Sequence, residues 1–383
     1  MSLFSRFFKK QEAAPAEAAP AAAPPEFNFK QRVEAFWIWY AGVAERFYQT
    51  IEDKECPSLA EEVSAKVDEL LPMAWVFGPG PDRKGHSFTL SGEGNLPKQI
   101  LAAEWLKRAP EIPGWTFHAS RQAEEEVRDF SLQMRELTFR PIEFWVTPEI
   151  DEEHEVVDIT VWHPLLGQAE KRMCETALFL FLDEIFGELG TGRWIGAIEY
   201  SQAKLATSMP INELKEFVDG ARGERGWKMH PPGELLSHYR IPEDKRATRF
   251  RLDTISGMTA CWRPLGDFLE DPENAEDPFD ACGANWIYLS FDSSALTKGR
   301  EVDCRYDMEE AIGKALEEEG SGLVLGGAVG SHRTYLDFVI YDGSRSLALI
   351  RRAARAAGLP PDTRVEYLGA AKRGRNGPLF PGA

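Results

Sequence analysis

Cysteine is scarce in this chain. Five residues in 383 (Cys56, Cys174, Cys261, Cys282 and Cys304) are odd in number and widely spaced. No C-x-x-C pair occurs, which argues against a zinc ribbon or a thioredoxin-type site, and reduced thiols in a cytoplasmic setting are the expectation. Positive charge is in deficit too: 44 Lys and Arg against 62 Asp and Glu leave a net charge of −18. Such a field repels phosphate backbones and anionic lipid, so no nucleic-acid partner is expected. No apolar run reaches the roughly 18 residues that a membrane span requires. The longest, TALFLFL at 176–182, reads as part of a core helix. G-x-S-x-G, H-E-x-x-H and a Cys with a neighbouring His are all missing, so no nucleophile is legible, and no cofactor or metal is expected.

Basic residues do concentrate at the two ends. The first ten residues hold Arg6, Lys9 and Lys10 without an acid, and Leu3, Phe4, Phe7 and Phe8 share one face of a short helix. The Ala/Pro tract that follows cannot pack a core and reads as a tether. An export signal fits poorly, because the basic residues follow the apolar ones. Phe4, Phe7 and Phe8 are candidate anchors for an anionic membrane or a partner's groove, and a frayed start without a role is the alternative. The Gly/Pro-rich stretch 371–383, with Lys372, Arg373 and Arg375, reads as a disordered tail.

Between these ends, the apolar pattern sets out the body. Val33, Phe36, Trp37, Tyr40, Val43, Ala44 and Phe47 recur at helical spacing. With a second helix over 58–71, they predict a helical hairpin over 27–72. Beyond Pro72 the period shortens to two, and the order strand, strand, helix, strand recurs. It occupies 73–120, 142–201 and 323–369, with a Gly/Pro turn leading from helix to last strand each time. The fold class expected is α+β, with antiparallel sheets built from repeated β-β-α-β units. A duplicated domain would occupy 73–205, a polar linker 206–245, and a ferredoxin-like domain 246–370. In that last domain, strands at 249–255 and 284–291 and an acidic helix at 307–319 complete the β-α-β-β-α-β order.

The stretch SFTLSGEGN…WLKRAPEIPGWTFHASR at 87–121, after FWIWY at 36–40, resembles an uncharacterised bacterial family. In that family a strand enters a glycine turn, a helix ends in AP, and GW opens a further strand. The likeness spans roughly 33–125. Residues 326–360, with an R-x-Y-x-D-F strand and a helix, are similar to small ferredoxin-like modules such as the bacterial regulator that inhibits ribonuclease E. Neither resemblance carries catalytic residues with it.

Three stretches hold candidate chemistry. Gly92-Glu93-Gly94-Asn95 sits between a strand and a helix, where phosphates are often held. Pro97 stands where a dinucleotide fingerprint needs glycine, and Glu93 puts a negative charge where the phosphate would lie. A helix start capped by Asn95, with Pro97 in its first turn, is the simpler reading. His154, Asp158 and His163 lie close in sequence, yet Asp158 and His163 differ by five and face opposite sides of a strand. Asp158 and Asp337 occupy matching positions in two apolar strands. Burial of either requires a partner, for which Arg193 and Arg333 are candidates; a shared cleft would then make them ligand-binding residues. Arg also stands beside Trp in TGRW (191–194) and CWRP (261–264), a pairing suited to a partner surface.

Three readings of function follow. The first is a non-enzymatic cytoplasmic protein that binds or regulates another protein. The second is an enzyme or small-molecule binder with a cleft between units, using Asp158, Arg193, Asp337 and Arg333. The third is an adaptor tethered at the inner membrane face through residues 1–10.

Overall fold

Asn28 starts the first helix by a reciprocal cap: its side chain accepts from the Gln31 N–H, and the Gln31 side chain accepts from the Asn28 N–H. The computed structural model describes residues 27–124, 131–166 and 171–381. Helix α1 (Phe29–Glu52) buries the face that its sequence marks, from Phe29 through Trp37 and Tyr40 to Phe47. Helix α2 (Ala60–Leu70) packs back on it through Val63, Val67 and Leu70. Both cover strands β1 (Ala74–Pro79) and β2 (His86–Ser91), helix α3 (Leu96–Lys107) and strand β3 (Trp115–His118). Trp37 stacks on Trp105 at 4.6 Å, and Tyr40 lies 5.4 Å from Phe88. Burying each such ring stabilises by about 1.5–3 kcal/mol.

A second core forms after a short hairpin of β4 (Leu132–Met134) and β5 (Leu137–Phe139). Strands β6 (Trp145–Asp151) and β7 (Val156–Trp162) lead to helices α4 (Lys171–Phe186) and α5 (Glu188–Trp194). Strand β8 (Ile195–Tyr200), the two-residue β9 (Met209–Pro210) and helix α6 (Leu214–Arg225) follow. Val157, Ile159 and Val161 point into this core with Leu178, Phe181 and Leu182 of α4. The sheet order is β8-β7-β6-β9.

The remaining elements build a seven-stranded antiparallel sheet. They are β10 (Ser237–Arg240), β11 (Thr254–Thr259), α7 (Trp262–Glu270), β12 (Asn285–Asp292), α8 (Glu301–Glu318), β13 (Gly322–Gly330), β14 (Arg333–Ile340), α9 (Ser344–Ala356), β15 (Arg364–Tyr367) and β16 (Gly377–Pro378). The order is β10-β11-β13-β14-β12-β15-β16. Ile287, Leu289, Leu336 and Phe338 face Ile312 and Leu316 of α8 and Ile350 and Ala354 of α9. Trp286, Tyr288, Tyr335 and Tyr341 on the other face join the core of α1 and the first sheet. Covered on both sides, β12 is buried from Asn285 to Phe291.

The chain is thus α+β, with the helices packed on sheets. Not every sheet is antiparallel, however. In the first, β1 and β2 run antiparallel but β2 and β3 parallel; β6, β7 and β8 repeat that arrangement. A helix between two strands returns the chain to the same end of the sheet, which sets the second of them parallel. Residues 206–245, expected as a linker, hold α6 and β10. Leu214, Val218 and Ala221 of α6 lie in the second core, and β10 pairs with β11. Nor is 371–381 a loose tail: β16 pairs with β15, and Leu379 and Phe380 are buried beside α9. The strand expected at 249–255 begins only at Thr254, because Phe250 and Arg251 adopt positive φ of 53° and 54°.

Candidate functional site

One sheet face in the second region has no helix over it among the described residues. Period-two alternation sends Val157, Ile159 and Val161 inward and leaves Asp158, Thr160 and Trp162 half-buried on the opposite side. Register then builds the face across strands: Trp145 lies opposite Trp162, Thr147 opposite Thr160, Glu149 opposite Asp158, and Glu199 beside Thr160. A shallow concavity of about 120 Å³ is lined by Thr147, Glu149, Asp158, Thr160, Ala197 and Glu199. Ligand pockets for small molecules run to roughly 300–1,000 Å³. The concavity is too small to enclose a metabolite, although a side chain of a partner fits its scale.

Within the face, the backbone of the neighbouring strand holds Asp158. Its Oδ1 accepts the Ala197 N–H at 2.6 Å, where β7 and β8 slip in register. A Cβ on Gly196 would overlap that carboxylate, so glycine is required at this approach. Glu149 and Glu199 are exposed and form no ion pair among the described residues. Directly opposed like charges destabilise a sheet by a few tenths to about 1 kcal/mol. The rim adds Lys204, whose ammonium lies over the Trp145 ring, and Ser208, 3.0 Å from the Thr147 hydroxyl. At the β6–β7 turn, exposed His154 lies 2.7 Å from Asp151; that hydrogen bond raises the imidazole above its ordinary pKa and lowers the carboxyl.

Asp337, on β14 of the C-terminal sheet, has the opposite surroundings. Its side chain is fully buried and paired with Arg251, also fully buried. Arg251 Nη2 donates to Asp337 Oδ2 at 3.0 Å and to the Tyr239 hydroxyl at 2.9 Å; Trp286 Nε1 donates to Asp337 Oδ1 at 3.3 Å. The guanidinium sits 5.2 Å from the Tyr288 ring and 5.0 Å from that of Tyr335.

The arginines expected to serve these aspartates lie elsewhere. Arg193 binds the Glu155 carboxylate, and donates to the Glu155 carbonyl at 2.8 Å and the Lys228 carbonyl at 3.2 Å. Arg333 donates to the Ser290 carbonyl at 2.7 Å and lies 3.7 Å from Asp362. Asp158, Arg193, Asp337 and Arg333 therefore do not line one cleft. Each arginine sits beside its own strand end, where a local acceptor is nearer. Sequence spacing missed Arg251 because it comes from an irregular turn 86 residues before its partner. Of the Arg–Trp neighbours, Trp194 is buried, whereas Trp262 is exposed against Tyr239. Phe4, Phe7 and Phe8 lie outside the described residues.

The glycine turn does hold an anion, supplied by the protein. Asn95 caps α3 by accepting the Lys98 N–H at 3.1 Å, and Pro97 occupies the first turn. The carboxylate of Glu188, at the start of α5, fills the turn. It accepts from the Ser91 hydroxyl at 2.7 Å, the Gln99 amide at 2.9 Å, the Gly94 N–H at 3.3 Å and the Arg121 N–H at 3.4 Å. Glu93 and Gly94 both take positive φ, 50° and 77°, to bring these donors together.

Among the described residues, no group of three or more His, Cys, Asp and Glu side chains is placed to hold a metal ion. No helix there is long and apolar enough to cross a membrane. Comparison with family models, characterised proteins and solved structures finds no match for the chain.

Proposed function

We propose that this protein is a non-enzymatic, cytoplasmic binding or regulatory protein that presents the open face of its second sheet to a basic segment of another protein. The observation that carries the reading is the cross-strand placement of Glu149, Asp158 and Glu199 on a face that no helix among the described residues covers. Trp145 and Trp162 at one end of that face supply apolar contact beside the charges. A net charge of −18 favours encounter with a basic partner and disfavours nucleic acid. Five free cysteines suit a reducing compartment.

The same reading takes the first two sheets as repeats of one β-β-α-β unit, supported by their shared antiparallel-then-parallel pairing. It takes the C-terminal sheet as ferredoxin-like, supported by the run β13-β14-β12-β15 with α8 and α9 on one face. Cross-linking in extracts of the native host, with the wild type and with Glu149→Lys/Glu199→Lys, tests the function. Protein partners that 0.5 M salt releases, and that the double variant fails to capture, are expected. An identical partner set for both proteins would overturn the proposal.

A further inference from the structure

We propose that the turn from Ser91 to Gln99 is a carboxylate receptor whose ligand is Glu188 of the same chain, forming a latch between the first and second cores that loosens as Asp183 ionises. The four donors around Glu188 are uncharged and come from three places: the turn itself, α3, and the chain just after β3. They satisfy the carboxylate without neutralising it. The Glu188 N–H adds a bond to the Arg121 carbonyl at 3.0 Å, so the contact ties backbone to backbone as well.

Among the described residues, acids outnumber bases around the latch. Asp183 of α4 is faced by Glu93 from the glycine turn, by Arg121 after β3, and by Glu188 and Thr191 from α5. Arg121 is shared, 3.3 Å from Asp183 and 3.3 Å from Glu93. Two carboxylates thus share one guanidinium, and a third, Glu188, meets Arg121 only at the backbone N–H. Glu93 is 64% exposed and keeps its water, whereas the Asp183 side chain is only 14% exposed. Of the two acids that share Arg121, Asp183 is the one whose charge burial disfavours. Burial raises its carboxyl to about 6; Glu188 and Glu93 add to the rise and Arg121 opposes it.

The direction with pH follows. An acid whose pKa is higher in the closed state than in water favours closure below the range between the two values. That preference is lost as pH rises through the upper value. Taking Asp183 from about 6 closed to its ordinary 3.8 open, closure weakens by about tenfold between pH 5.0 and 7.5.

Amide hydrogen exchange on the full chain tests the latch, read as protection factors so that the intrinsic pH dependence cancels. In the wild type, protection of the Gly94 and Arg121 amides is expected to fall about tenfold from pH 5.0 to 7.5. Asp183→Asn is expected to keep the high value at both, and Glu188→Gln to lower protection at both. The Leu289 amide in the C-terminal sheet serves as the folding control and is expected to stay unchanged in both variants. Wild-type protection that does not change with pH, an Asp183→Asn protein that keeps the tenfold fall, or a Glu188→Gln protein as protected as the wild type would each overturn the proposal.

Discussion

Two strand aspartates show what a covering layer does to the same residue. On β7, Asp158 looks onto an uncovered face, holds one backbone N–H of the neighbouring strand and lies opposite another acid. On β14, Asp337 looks onto a face roofed by the first core and meets an arginine caged by tyrosines. Water screens the first charge, so like charges are tolerated around it at small cost. The second has no water, and its pairing is a condition of the fold. An open sheet face tolerates unpaired charge, and a covered one does not.

The most severe way to test that contrast is Asp337→Ala. It leaves a fully buried guanidinium without its counter-charge, and a loss of about 3–5 kcal/mol in urea unfolding is expected. Replacing both partners with apolar residues, as in Asp337→Leu/Arg251→Met, should recover most of the loss. Asp158→Ala, measured the same way, should cost about 1 kcal/mol for the bond to the Ala197 N–H. Equal losses at the two positions would erase the distinction. Smallest of all, Glu149→Lys/Glu199→Lys should raise stability by about 0.2–1 kcal/mol at low salt, a gain that high salt removes. A loss of stability there would show that the acids hold the face together.

Much of the framework was legible in the chain. The apolar stripe of α1 from Val33 to Phe47 and the Asn95–Pro97 helix start follow from local rules, and local rules are what a sequence displays. The alternation in β7 likewise set Asp158 apart from Val157 and Ile159. What escaped was non-local. Glu188 reaches a turn almost a hundred residues earlier, and no motif announces it. In 206–245, polar residues obscured Leu214, Val218 and Ala221, although their i, i+4, i+7 spacing was present. Leu379 and Phe380 were hidden by the glycines and prolines around them.

The docking of α1 bears on how the chain is made. Phe29 packs on Tyr341 at 5.6 Å, the Lys30 N–H donates to the Tyr341 carbonyl, and the Asn28 amide donates to Asp342, 314 residues away. A ribosome adding about 5–20 residues per second needs roughly 15–60 s to cover that distance. Throughout that interval the start of the first helix is without its Tyr341 and Asp342 neighbours. Completion of the first core, which includes Tyr341 and Leu368, therefore belongs to the last stage of synthesis.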